Sequence, residues 1–189
     1  MNETECRKVS DMKLLLHLNA RFQPKHRFEL EDALQEIFEK NNAGEVTGGG
    51  TLLKENGEVE SCDIEIEFYE NQKSLEWLKN LLNNMGVPKG SVIQGVEPPI
   101  CFGSLEGLAI YLNGTDLPKE VYENCDVNYV IDQLEKAIDS IGAMYSYREL
   151  DQFTVLYFYG VSFSIMNDKM KSFILSYPLC QKCRIEQIA

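Results

Sequence analysis

The chain is predicted to be an α+β protein made of two tandem ferredoxin-like (βαββαβ) units with antiparallel sheets. Three observations carry that prediction. Cys62, Ile64, Ile66 and Phe68 alternate strictly with Asp63, Glu65 and Glu67, and this run follows a glycine-containing strand and an Asn56-Gly57 turn, so the stretch Gly44–Phe68 reads as a hairpin. Runs with helical apolar spacing flank the hairpin on both sides. The order strand, helix, strand, strand, helix, strand then occurs a second time.

The elements follow in order. Residues 1–12 read as a leader. Lys13–Phe22 alternates, with Leu14, Leu16, Leu18, Ala20 and Phe22 on one side and Leu15, His17, Asn19 and Arg21 on the other, until Pro24 removes a ladder donor. A helix over about Phe28–Lys40 carries Leu30, Ala33, Leu34, Ile37 and Phe38 on one face, and Asn41, Asn42 and Gly44 stop it. After the hairpin, a helix over Gln72–Met85 presents Leu75, Leu78, Leu81, Leu82 and Met85, with Gly86 as its C-terminal cap. A short strand at Ser91–Gln94 completes the first unit, residues 13–94.

Residues 95–104, GVEPPICFGS, read as a linker because paired prolines and flanking glycines resist regular structure. The second unit spans 105–189. Leu108, Ile110 and Leu112 make its first strand, and a loop containing Pro118 leads to Asp126 as an N-cap. Val127, Val130, Ile131, Leu134, Ile138 and Ile141 form a helix face ended by Gly142. Ala143–Glu149 and Gln152–Tyr159 form a hairpin around Leu150-Asp151, a helix covers Ile165–Tyr177, and a last strand falls at Arg184–Ile188. Residues 33–48 also align locally with 133–147, which favours internal duplication over the competing reading of one continuous α+β domain.

Composition narrows the function. The chain has 189 residues, 44% of them hydrophobic, enough for one large or two small folded domains. Its 30 acidic and 18 basic side chains give a net charge of −12, which disfavours nucleic acid and anionic membrane surfaces and suits rapid capture of a basic partner. No apolar run approaches the roughly 20 residues a membrane span needs. The polar start MNETECRKVSDMK lacks a signal-peptide apolar region, and the six irregularly spaced cysteines read as reduced, so a cytoplasmic protein is expected.

The open sheet faces are the candidate sites. In the first unit that face is expected to carry His17, Asn19 and Arg21 on one strand beside Asp63, Glu65 and Glu67 on its neighbour, with cross-strand ion pairs of well under about 1 kcal/mol as the plain reading of the bases. The surplus of carboxylates is where a basic ligand would sit, with Glu58 and Glu60 at the hairpin end. In the second unit FTVLYFYG is apolar on both faces, which predicts burial on both, against the sharper reading of a tyrosine-rich contact patch.

Catalytic and metal signals are weak. Gly48-Gly49-Gly50 lacks the Lys-Ser/Thr and the following helix of a phosphate loop, and reads as a structural feature of a strand. Cys180 and Cys183 form a CxxC, but no second ligand pair completes a zinc site and the redox context of a preceding strand is absent. His17 and His26 belong to no recognisable catalytic pattern. No cofactor or metal is expected, and the chain is expected not to be an enzyme.

The run GEVTGGGT at Gly44–Thr51, followed by ESCDIEI at Glu60–Ile66, LNARFQP at Leu18–Pro24 and MGVPKGS at Met85–Ser91, resembles a motif of small bacterial proteins similar to the immunity proteins of polymorphic or contact-dependent toxin systems. The resemblance covers residues 13–94. It implies a protein that neutralises a toxin domain; the contact residues expected from the strand pattern and charge are Asp63, Glu65, Glu67, Glu58, Glu60, Arg21 and His17. The alternative is a small-molecule-sensing tandem similar in plan to ACT-type regulatory domains. A hydrolase using the carboxylate row is a third reading and requires a cleft.

Overall fold

The computed structural model describes residues 11–189, so the first ten residues of the expected leader lie outside it. The first unit runs β1 (Asp11–Leu18), α1 (Pro24–Asn41), β2 (Gly44–Leu53), β3 (Val59–Tyr69), α2 (Leu75–Asn84) and β4 (Ser91–Gln94). A further strand, β5 (Ile100–Phe102), precedes the second unit: β6 (Glu106–Asn113), α3 (Lys119–Asn124), α4 (Val127–Ala137), β7 (Gly142–Glu149), β8 (Phe153–Gly160), α5 (Phe163–Ser176) and β9 (Arg184–Gln187). The sheets have the orders β2-β3-β1-β4-β5 and β7-β8-β6-β9, with every neighbouring pair antiparallel. Without β5 the two orders are the same, and each is that of a ferredoxin-like unit. No helix among the described residues is long and apolar enough to cross a membrane.

Several boundaries differ from expectation for local reasons. α1 begins at Pro24, whose missing N–H costs nothing at the first helical position, and not near Phe28. The hairpin turn spans Lys54–Gly57, closed by the Gly57 N–H on the Lys54 carbonyl at 2.9 Å, and only Gly57 takes a positive φ (81°). The expected linker contributes β5: Val92 lies opposite Cys101 and Ile93 opposite Ile100, so three residues past the prolines extend the first sheet by one strand. α3 occupies what reads in sequence as a loop after Pro118.

Each unit lays its helices on one sheet face. In the first, Leu14, Leu16, Leu18, Cys62, Ile64, Ile66 and Phe68 meet Leu34 and Phe38 of α1 and Leu78 and Leu82 of α2, all buried. In the second, Leu108, Ile110, Leu112, Leu156 and Phe158 meet Val130 and Leu134 of α4, Ile138, and Met166, Met170 and Ile174 of α5. The opposite face of the second sheet, Ala109, Tyr111, Val155, Tyr157 and Tyr159, belongs to the first unit's core cluster. The two-sided apolar pattern of β8 is therefore explained by burial on both faces.

What covers that second face is the end of the first unit, through the β1–α1 connection and the β2–β3 hairpin. Phe22 packs on Tyr145 and Tyr159 with ring centroids 6.0 and 6.2 Å apart. The Arg21 N–H donates to the Tyr159 hydroxyl at 2.8 Å, the Ser146 hydroxyl donates to the Arg21 carbonyl, and Arg148 Nε donates to the Gly57 carbonyl at 3.0 Å.

Candidate functional site

The open face of the first sheet is set by strand register. On β1 and β3, Lys13 lies opposite Glu67, Leu15 opposite Glu65, and His17 opposite Asp63. Glu45 of β2 lies opposite Glu67, and Gln94 and Val92 of β4 opposite Leu15 and His17. His17 Nδ1 and Asp63 Oδ1 are 2.8 Å apart, each side chain more than a third exposed, so the pair contributes well under about 1 kcal/mol. A bulge between Val46 and Gly48 bends β2, and a depression of about 580 Å³ opens beside it, lined by Lys13, Leu15, Thr47, Glu65, Glu67 and Gln94 among others. On the open face as a whole Glu45, Glu65 and Glu67 outnumber Lys13, and the acidic excess expected from sequence survives the pairing.

Three of the sequence-selected contact residues are not on that face. β1 ends at Leu18, because the chain turns toward α1, so Arg21 leaves the sheet. Its guanidinium reaches the Glu60 carbonyl through Nη1. Glu60 is exposed at the start of β3, at the hairpin end of the unit. Glu58 is only 4% exposed and is sealed at the junction between units. Its Oε1 accepts a 2.6 Å hydrogen bond from the Tyr111 hydroxyl, with the Tyr157 hydroxyl at 3.5 Å and Lys54 Nζ 3.4 Å from Oε2. Burial alone would push the Glu58 carboxyl up, but the hydrogen bond from Tyr111 and the charge of Lys54 hold it below the usual range. Burial and the Glu58 carboxylate together push the Tyr111 and Tyr157 hydroxyls far above their ordinary range.

The triple glycine has a packing explanation. A side chain at Gly49 would meet Glu31 Oε1 at 2.3 Å, the Asp63 carbonyl at 2.6 Å and Arg27 Nη1 at 2.8 Å, whereas one at Gly50 meets nothing within 4 Å. Gly49 thus lets Arg27 and Glu31 of α1 lie against the strand. Arg27 Nε and Glu31 Oε1 are 3.5 Å apart with both side chains largely buried, and desolvation pushes the Glu31 carboxyl up against the opposing charge of Arg27. Arg27 falls two helical turns before Leu34 in the apolar stripe, a charged residue in a core position that the spacing alone could have flagged.

A second concavity, missed by sequence reasoning, lies between the units. Its volume is about 520 Å³, with walls from α1 (His26, Glu29, Leu30, Ala33, Ile37), the turn after α2 (Met85, Gly86, Val87), Phe22, and Met144 and Tyr145 of β7. The apolar stripe of α1 is therefore shared. Leu34 and Phe38 enter the core, while Leu30, Ala33 and Ile37 face the groove.

Cys180 and Cys183 sit at a tight turn, with the Cys183 N–H on the Cys180 carbonyl at 3.2 Å. Burial, with Cys183 and Cys125 nearby, pushes the Cys180 thiol up to about 12, and burial raises Cys183 as well. Such thiols carry little thiolate at neutral pH, the opposite of a reactive pair. No cluster among the described residues has the ligands for a metal ion.

A scan against protein-family models finds no match, and a search among curated proteins finds none. Among solved structures, a protein from Fusobacterium nucleatum described as a candidate monooxygenase is 9% identical, over 94% of this chain and 90% of that one, with a TM-score of 0.33. The first two RRM domains of the yeast poly(U)-binding protein are 11% identical over 93% of this chain and 99% of that one, with a TM-score of 0.25. An anthrone oxidase-like protein is 8% identical over 95% and 94%, with a TM-score of 0.26. Two of the three carry oxidising-enzyme descriptions across nearly the whole chain, and the expectation that this chain is not an enzyme is withdrawn on that finding. Likenesses at these TM-scores carry no substrate, reaction or ligand to this chain.

Proposed function

We propose that the chain is a binding protein that presents the open face of its first sheet to a basic protein partner, as an immunity protein does to a toxin domain. One observation carries the reading. Apart from β5 the two units have the same sheet order, yet the open face of the second is buried at the junction while that of the first is left uncovered and acidic among the described residues. Asp63, Glu65 and Glu67 form its central row, with Glu45 beside them and, among the described residues, Lys13 and His17 in opposition. Carboxylates on such a face speed encounter with a cationic surface and discriminate against anionic ones. The reading has the protein acting in the cytoplasm, a compartment suited to the free thiols of Cys62, Cys101, Cys125, Cys180 and Cys183.

The test compares the wild-type chain with a triple variant, Asp63→Asn, Glu65→Gln and Glu67→Gln, as baits for partner capture at low and raised ionic strength. The reading expects a basic protein retained by the wild type, released by salt, and lost from the variant. Equal retention by the variant would remove the open face from consideration.

A further inference from the structure

We propose that the groove between the units binds an uncharged, apolar small molecule bearing a carbonyl or equivalent hydrogen-bond acceptor, which His26 Nε2 recognises as donor. The site is independent of the acidic sheet face. At about 520 Å³ its volume lies within the range of small-molecule pockets, and its walls are mostly aliphatic and aromatic, with few polar groups.

The ligand class follows from the groove's chemistry. Of the α1 apolar stripe, Ala33 and Ile37 stay outside the core and Leu30 packs at its edge, and Met85, Val87, Met144 and Tyr145 line the groove with them. Met85 and Met144 supply adaptable walls. Among the described residues no lysine or arginine lines the groove and Glu29 does, so an anionic ligand is disfavoured. Gly86 keeps the space open: a side chain there would meet the Tyr145 hydroxyl at 2.8 Å.

His26 fixes the polar end. Its Nδ1 is buried without a hydrogen-bond partner among the described residues. A buried N–H with no acceptor loses its solvation outright, so the proton belongs on Nε2, the nitrogen left accessible. Protonating the second nitrogen would bury an unpaired donor. In keeping with that, burial lowers the ring's pKa, with Glu29 opposing the shift and Lys25 adding to it. A neutral imidazole that can donate only from Nε2 selects an acceptor.

The probe is Prodan, a dimethylaminonaphthalene bearing a propionyl ketone, whose emission shifts to the blue in apolar surroundings. The wild-type chain is expected to give a saturable blue shift. Ala33→Trp, at an exposed position on the groove wall, is expected to abolish it, and His26→Phe, which keeps the ring and removes the donor, to weaken binding about two- to tenfold. Absence of saturable binding to the wild type, or unchanged binding to Ala33→Trp, overturns the site, and unchanged affinity of His26→Phe overturns the donor assignment. Amide chemical-shift mapping of Prodan on the wild-type chain does not depend on either variant folding. Shifts confined to residues 22, 26–37, 85–87 and 144–145 support the groove, and shifts elsewhere overturn it.

Discussion

The Tyr111 hydroxyl donates to Glu58 Oε1 at 2.6 Å across the junction between the two units, and this places a carboxylate where the second sheet would otherwise bury an apolar face. The acceptor is charged and nearly sealed from water, so the bond is of the stronger, charge-assisted kind. Tyr111→Phe should therefore destabilise the protein by about 1.5–3 kcal/mol in urea unfolding. Tyr157→Phe should cost less, because its hydroxyl stands 3.5 Å from the same oxygen.

The same pair sets an acid limit. The Glu58 carboxyl is held below its ordinary 4.5 in the fold, so it binds protons more readily when unfolded. Its contribution is complete above 4.5 and is lost as pH falls through that value toward the lower folded one. Thermal melts of Glu58→Gln across the acid range should show a lower plateau stability and a flatter acid limb than the wild type.

An alkaline limit follows with the opposite sign. Tyr111, Tyr157 and Tyr159 are all held above their ordinary 10.0 by burial, so the unfolded chain gives up these protons first. Stability from these groups is complete below 10.0 and is lost as pH rises beyond it. In an alkaline titration the phenolate absorbance contributed by these three hydroxyls, read as the difference from the corresponding Tyr→Phe variants, should appear together with the loss of circular dichroism, since they ionise only as the junction opens.

Gly49 and Gly50 make a matched comparison. Gly49→Ala places a methyl 2.6 Å from the Asp63 carbonyl and against the Arg27–Glu31 pair, and should cost about 1–3 kcal/mol. Gly50→Ala meets open space and should stay within about 0.5 kcal/mol of wild type in the same assay.

Thiol labelling separates the cysteines. Cys101 is exposed on β5, and Cys62 and Cys180 are buried with thiols pushed up by desolvation. An aromatic disulfide reagent at neutral pH should label Cys101 rapidly and leave Cys62 and Cys180 unlabelled until denaturant is added.

Much of this architecture is legible in the sequence, because a sheet with one buried face writes its register directly. The alternation of Cys62–Phe68 places Asp63, Glu65 and Glu67 together on the open face where the structure has them. The double-sided pattern of FTVLYFYG signals burial on both sides. Other features depend on neighbours that alternation does not encode. Glu58 reads as surface until Tyr111 of the other unit closes over it. Arg21 reads as a continuation of β1 until its N–H is taken by Tyr159. β5 pairs through only three residues after two prolines, too short to show a period. The groove joins α1, the turn after α2 and β7, segments that share no local pattern.

A partner docked on the open face of the first sheet would shield the carboxylates of that face from modification. Carboxyl footprinting by carbodiimide coupling and mass spectrometry, run on the protein alone and in complex with the partner it captures, tests it most directly. Glu65, Glu67 and Glu45 should be protected in the complex while Glu120 and Glu123 of α3 label as before. Protection of α3 with Glu65 and Glu67 still labelled would contradict it.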